Sequence, residues 1–223
     1  MNSDNLLARV PLFENLGRED VDKIFKATRR RDYPKNQVIL FEDDHGDALY
    51  VVAAGQVKVV LTGENGREVI LSVLGEGDFF GEMSLIDDEP RSAHVIAMED
   101  CELLVLLRDD FLRCLKEAPD MSVGLLRAMS QRLRKADDKI GNLVLLDVGA
   151  RVARLILQLA DDQGGDTINR SIPHNTMAQM IGSSRETVSR TFRDLSEKGI
   201  IEITRETIVI SDREGLKQAA GIK

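Results

Sequence analysis

Gly77-Asp78-Phe79-Phe80-Gly81-Glu82-Met83-Ser84-Leu85-Ile86-Asp87-Asp88-Glu89-Pro90-Arg91-Ser92-Ala93-His94-Val95 is the stretch on which the reading of this chain turns. Gly81 lets the backbone come close to a ligand, and the amides that follow form a concavity suited to an anion. Arg91 supplies a planar fork of donors for a phosphate, and Ser92 adds a hydroxyl. Glu82 can accept from sugar hydroxyls, or it can hold Arg91. On spacing alone two readings stand level: a site for a phosphorylated sugar, or a structural Arg91–Glu82 ion pair.

Upstream, from about Asp32 to Leu107, the chain reads as short strands. Val38-Ile39-Leu40-Phe41, Leu49-Tyr50-Val51-Val52, Gln56-Val57-Lys58-Val59-Val60-Leu61 and Glu68-Val69-Ile70-Leu71-Ser72-Val73-Leu74 are rich in β-branched residues. Gly46, Gly55, Gly63, Gly66, Gly75 and Gly77 punctuate them. Short strands at near-regular spacing with turn signals predict a barrel, roll or sandwich.

Downstream the period changes. From Pro119 on, Leu126, Met129, Leu133, Ala136, Ile140 and Leu143 recur at alternating spacings of three and four. That is a heptad seam on one helix. Arg127, Arg132, Arg134, Lys135, Asp137, Asp138 and Lys139 lie between them, so the outer faces are strongly charged. The seam predicts self-pairing; packing on its own domain is the alternative. Pro119 suits a first helical turn and Asp120 its positive end. A second helix follows with Val152, Leu155, Ile156 and Leu159 on one face, until Gly164-Gly165 breaks it.

The last segment carries the pattern helix, tight turn, helix, β-ribbon. Met177, Ala178 and Ile181 form the inner face of one helix, and Gly182 permits a sharp turn. Ser183 or Ser184 can cap the next helix, whose inner face is Val188, Phe192 and Leu195. Arg185, Glu186, Ser189, Arg190 and Arg193 then face outward. Arginine can bond guanine O6 and N7 with two donors, and glutamate can accept from cytosine N4. Glu186 also completes a Ser183-x-x-Glu186 capping box, and that role competes with base contact. Ile201-Glu202-Ile203 and Thr207-Ile208-Val209-Ile210 read as a hairpin around Arg205, a phosphate contact at its tip.

The composition bounds these readings. The 223 residues hold 30 basic and 38 acidic side chains, a net charge of −8. Two domains are the natural prior for that length. A hydrophobic content of 43% is enough for real cores and excludes disorder as the main state. Residues 1–147 carry a net −9 and residues 148–223 a net +1, so an anionic partner is far better tolerated by the C-terminal part. A uniformly basic nucleic-acid coat is excluded. Cys101 and Cys114, the only cysteines, make neither a disulfide framework nor a metal-ligand spacing. They suit a reducing compartment, and the expectation is the cytoplasm. Met1–Val10 has polar and acidic residues where a secretory signal has its apolar stretch. No apolar run approaches the ~18 residues of a membrane span. No metal cluster and no nucleophile–base motif speaks for an enzyme.

Several motifs in order resemble the CRP/FNR family of bacterial transcription regulators. Phe80-Gly81-Glu82-Met83-Ser84-Leu85 followed by Arg91-Ser92-Ala93 is similar to the phosphate-binding cassette of cyclic-nucleotide-binding domains. Leu49-Tyr50-Val51-Val52 with Gly55 resembles that domain's earlier strand signature. Gly141-Asn142-Leu143-Val144-Leu145-Leu146-Asp147-Val148 resembles the family's hinge, and Gly182-Ser183-Ser184-Arg185-Glu186-Thr187-Val188-Ser189-Arg190 its recognition helix.

The resemblance implies an α+β chain: an N-terminal cyclic-nucleotide-binding β-roll, a long dimerisation helix and a C-terminal winged helix-turn-helix. The corresponding segments are a sensor at 1–116, a dimerisation helix and hinge at 117–147, and a DNA-binding domain at 148–223. It implies a homodimer on a palindromic, TGTGA-like double-stranded operator, with RNA polymerase as a further partner. The effector it implies is a cyclic nucleotide, cAMP first. The family's iron–sulfur sensors need a cysteine cluster near the N-terminus, which is missing, and loop or surface roles explain His45, His94 and His174 more simply than haem ligation. No haem, metal or iron–sulfur cluster is therefore expected. By position, Glu82 would hold the ribose 2′-hydroxyl, Gly81 and Met83 would give backbone contacts, and Arg91 and Ser92 would hold the phosphate. Leu71 and Ser72 would line the pocket. Ser184, Arg185, Glu186, Ser189, Arg190 and Arg205 would meet DNA.

Three positions depart from the family pattern. Ala136 and Asp137 stand where adenine-binding members carry Thr and Ser, and Asp137 can accept from guanine N1 and N2 together. That opens cGMP or cyclic di-GMP as effectors, while Asp137 as an ordinary exposed charge remains the alternative. Asp43 replaces a loop glycine, and Pro173 a capping threonine. Two rivals remain: the same DNA reader with a ligand-free or differently tuned sensor, and a cyclic-nucleotide-binding module of an enzyme.

Overall fold

The computed structural model describes residues 6–7, 10–169 and 172–222. They form two compact units, one of residues 1–67 with 71–134 and one of residues 68–70 with 135–223.

The first unit is built on antiparallel strands. One sheet has the order β1 (Arg29–Tyr33), β8 (Cys101–Leu107), β3 (Ala48–Ala54), β6 (Phe79–Phe80). A second has the order β2 (Val38–Leu40), β7 (His94–Ala97), β4 (Val57–Thr62), β5 (Glu68–Leu74). Strands β3 and β8 are buried on both faces, which is why they read as continuous apolar runs rather than alternating ones. Leu49, Val51, Leu104 and Leu106 point into one core with Phe13, Ile24, Phe111 and Met121. Their neighbours Tyr50, Val52, Leu103 and Val105 point into another with Val57, Phe80 and Val95. Helix α1 (Arg18–Ala27) precedes the strands, the single turn α2 (Met83–Ile86) follows β6, and α3 (Arg108–Glu117) follows β8. Strand β1 is Arg-Arg-Arg-Asp-Tyr at a sheet edge, where charge blocks unwanted strand pairing and leaves no apolar signal.

The long helix α4 runs Pro119–Leu145, with Pro119 at its first position as expected. Met121, Gly124, Leu125 and Ala128 are buried against the unit's own core. The opposite side is open, with Leu126 67%, Leu133 64% and Ile140 60% exposed, alongside Val123 and Val144. Two members of the expected seam also lie against the chain's own residues, although Leu143 stays 44% exposed. Met129 packs on the chain's own core cluster. The Leu143 side chain lies beside the Gly182 turn, where a Cβ built on Gly182 would be 3.3 Å from Leu143 Cδ2. The exposed apolar residues of this helix include Val123, Leu126, Leu133, Ile140, Leu143 and Val144. Ala136 and Asp137 are exposed.

In the second unit, α5 (Val148–Asp162) starts at Asp147, whose carboxylate accepts from the Ala150 amide at 2.8 Å. Strand β9 (Thr167–Asn169), helices α6 (His174–Ile181) and α7 (Arg185–Glu197), strands β10 (Ile201–Ile203) and β11 (Thr207–Ile210), and helix α8 (Arg213–Ala219) complete it. The sheet order is β10-β11-β9, so the expected hairpin gains a third strand. Met177, Ala178, Ile181, Val188, Phe192 and Leu195 are all buried in one core with the inner face of α5. Gly182 ends α6 at φ +66°, a conformation that opens the tight turn and disfavours a side chain. Pro173 occupies the N-cap of α6, with no side-chain cap bond.

Candidate functional site

The strand–turn–helix passage through Phe79–Ile86 brings Glu82 into the roll, and the loop leading into β7 brings Arg91. Both are buried, at 1% and 4% exposure. Gly81 sits at φ +85°, and a Cβ there would meet Arg91 Nη1 at 2.8 Å. Arg91 donates from Nη1 to the Gly81 carbonyl at 2.5 Å and the Ser84 hydroxyl at 2.8 Å, and from Nη2 to the Ala48 carbonyl at 2.9 Å. Asp47 lies 3.8 Å away. Burial pushes the Arg91 pKa down, opposed by Tyr50, Asp47, Glu82 and Asp44; a guanidinium stays charged regardless. Its backbone is held from both sides, by the Arg91 amide on the Asp44 carbonyl and the Asp43 amide on the Arg91 carbonyl, each 2.9 Å. Asp43 takes φ 67°, so it adopts the left-handed turn that a glycine would supply.

Of the two readings of Glu82, the intramolecular one finds a different cation. Glu82 Oε1 accepts from Arg132 Nη1 at 2.7 Å. Arg132 also donates to the Phe79 carbonyl and lies 4.5 Å from the centroid of the Phe79 ring. Sequence reading placed Arg132 among the charged outer residues of its helix. The signal was available: Met121, Leu125, Ala128 and Arg132 follow one another at spacings of four, three and four, so Arg132 continues the buried face. Two buried polar atoms here have no hydrogen-bond partner among the described residues, the acceptor Glu82 Oε2 and the donor Arg91 Nε.

The other expected ligand residues divide. Ser92 and Met83 are exposed at the mouth of the same turn, with Ser92 Oγ 3.9 Å from Met83 Sδ. Leu71 and Ser72 are exposed on β5. Ala136 and Asp137 belong to the second unit. Among the described residues no group of three or more His, Cys, Asp or Glu is placed to hold a metal ion, and no helix is long and apolar enough to cross a membrane.

In the second unit, α7 presents Arg185, Glu186 and Arg190 outward, with Ser189 partly covered. The cap is Ser184, which accepts from the Thr187 amide at 3.2 Å. The expected Ser183–Glu186 box does not form, because the helix begins one residue later. Glu186 nevertheless serves the helix start: its own amide and then the Ser184 hydroxyl hold its carboxyl below the usual range. It is exposed. Ser189 Oγ lies 3.1 Å from His174 Nδ1, and the His174 ring stacks on Phe192 at 4.9 Å. Arg205 is exposed at the tip of the β10–β11 hairpin, whose turn is closed by Thr204 and Thr207.

Two family models match, a cyclic nucleotide-binding domain over residues 30–118 and a Crp-like helix-turn-helix domain over residues 150–219. The chain is 38% identical over 210 residues to the cyclic AMP receptor protein of Thermus thermophilus, covering 94% of this chain and 96% of that one. It is 30% identical over 222 residues to a CRP-like cAMP-activated global transcriptional regulator of Mycobacterium tuberculosis, covering 97% and 99%. Among solved structures, the Thermus thermophilus catabolite activator protein aligns with 37% identity and a TM-score of 0.56, over 95% of this chain and 98% of that one. The c-di-GMP responsive global regulator CLP of Xanthomonas campestris aligns with a TM-score of 0.78 at 24% identity, over 87% and 99%, a likeness of fold.

Proposed function

This chain belongs to the CRP family of DNA-binding transcription regulators, which are not enzymes, and from that premise we propose that it is a homodimeric switch whose operator binding is set by a cyclic nucleotide in the roll. The observation that carries the proposal is the pair of orphaned atoms. Glu82 Oε2 is a buried acceptor and Arg91 Nε a buried donor, each without a partner among the described residues. Leaving such groups unpaired costs about 1–3 kcal/mol each. A ligand with both a sugar hydroxyl and a phosphate oxygen would satisfy the two at once, on displacing the groups that cover them. Glu82 would accept from the ribose, Arg91 and Ser92 would hold the phosphate, and Gly81 and Met83 would offer backbone groups. Leu71 and Ser72 would flank the base. Arg132, already on Glu82, ties the sugar side of the pocket to the long helix.

Cyclic AMP is the first candidate, because two curated relatives are described as cAMP receptors or cAMP-activated. Ala136 and Asp137 in place of two hydroxyl residues favour a base with additional donors, which keeps cGMP and cyclic di-GMP in the test. The sensor is assigned to 1–116, the dimerisation helix and hinge to 117–147, and the reader to 148–223. Two copies would pair through the exposed stripe of α4. The reader helices would enter successive major grooves about 34 Å apart. RNA polymerase would be the further partner, and the cytoplasm the location.

Gel shifts on an operator selected from random duplex DNA, run with cAMP, cGMP and cyclic di-GMP in turn, test the gating. At least one nucleotide should tighten binding tenfold or more. Binding that no nucleotide changes would reject gating and leave a constitutive DNA reader. Within the reader, Arg185→Ala should cost about 1–3 kcal/mol per half-site and relax the preference at one guanine. Arg205→Ala should instead weaken all sequences alike and reduce the salt slope by about one unit per contact. Equal losses on selected and random DNA for Arg185→Ala would contradict its assigned role.

A further inference from the structure

The link between α4 and α5 is only Leu146 and Asp147, yet three elements converge on it through one side chain. Arg154, two turns into α5, donates from Nη1 to the Asn142 side-chain carbonyl on α4 at 2.6 Å. Its Nε donates to the backbone carbonyl of Ala220, just after α8, at 2.9 Å. Ala220 and Leu216 of that C-terminal segment are fully buried in the reader's core, and Asp212 caps α8 through the Gly215 amide at 2.9 Å. A Cβ built on Gly221 would sit 3.7 Å from Leu146 Cδ2, so the chain's end runs alongside the link itself. Arg151 completes the arrangement by donating to the Leu146 carbonyl at 3.0 Å.

We infer that Arg154 is a positioning residue that fixes the angle between the end of the long helix and the reader, with the C-terminal segment as its anchor. The guanidinium is planar, so two bonds on one edge and end define a direction, which a lysine's single ammonium cannot do. Its partners in these two bonds are neutral oxygens, so the arrangement orients the helices and does not neutralise charge. Two such links, one per copy, would set the separation and rotation of the two recognition helices. The inference rests on the reading of the protein as a regulator of two-half-site DNA. In that setting one base pair more or less between half-sites rotates one of them by about 35°, and a rigid link should punish the change.

The test is spacing discrimination by the full-length chain. An operator is selected from random DNA with the wild type, and one base pair is then inserted or removed at its centre. The wild type should lose about a hundredfold in affinity. Arg154→Ala and Asn142→Ala should lose tenfold or less. Asn142→Asp, which still offers an acceptor, should restore the wild-type ratio. Thermal melts of Asn142→Ala, whose exchange leaves the reader core untouched, separate loosening of the link from unfolding. A ratio unchanged in both alanine variants overturns the inference, as does a fall in all DNA binding with the ratio intact. If the wild type selects no operator with paired half-sites, the two-half-site reading falls and the inference with it.

Discussion

Replacing Arg91 by leucine should abolish measurable nucleotide binding, with affinity falling at least a hundredfold in titration calorimetry. The guanidinium is buried, and its fork would face the phosphate while its Nε has no partner among the described residues. Removing one side of a buried charged pair costs about 3–5 kcal/mol, which is a factor of roughly 10² to 10³ or more. The same exchange strips a donor from the carbonyls of Gly81 and Ala48 and from Ser84. The thermal midpoint should therefore drop as well, by several degrees. Arg91→Lys separates the two effects: it keeps a cation in the roll but supplies one point of contact, so binding should weaken about tenfold with a smaller loss of stability. Nucleotide affinity within threefold of wild type in a folded Arg91→Leu protein would remove Arg91 from the site.

The second large effect is expected at Leu133. It is 64% exposed on α4, in line with Leu126 and Ile140. Burying one leucine contributes about 1.5–3 kcal/mol, and a two-fold axis uses each residue twice. Leu133→Asp replaces that gain with two carboxylates facing each other. Sedimentation should show a monomer at micromolar concentration, and affinity for a palindromic operator should fall by two orders of magnitude or more. Lys135→Ala, an exposed neighbour off the stripe, should leave both unchanged. A Leu133→Asp protein that remains dimeric would place the interface on another surface.

Where side chains carried a period, the sequence was nearly sufficient. Strand β5 spans the very residues Glu68–Leu74 read from β-branched content. The inner faces of α6 and α7 were legible because three apolar positions at helical spacing bracket a glycine. Strand β1 was not legible, since an edge strand of three arginines follows no hydrophobic pattern. Strand β9 and helix α8 escaped because a three-residue strand and a seven-residue helix are too short to show a period. In the pocket, the cassette residues were readable by chemistry, but their partners were not. Carbonyls of Ala48 and Gly81 are anonymous in a sequence, and Arg132 reaches Glu82 from fifty residues away. Met129 is partly buried on the chain's own core: on a helix with one face against its own core and another open, apolar spacing alone does not say which face a methionine joins.

The way Arg91 is held has a consequence for timing. Both its terminal nitrogens are already engaged by the protein's own oxygens, so an arriving phosphate competes with acceptors that never leave. The net gain is the difference between two sets of bonds, and the same acceptors stand ready to take the donors back. On the proposed function, such a site would release its occupant readily, because both terminal nitrogens return to protein oxygens when the anion departs. On that function, a messenger whose concentration falls would then be followed as promptly as one whose concentration rises, as a reversible switch of gene expression requires.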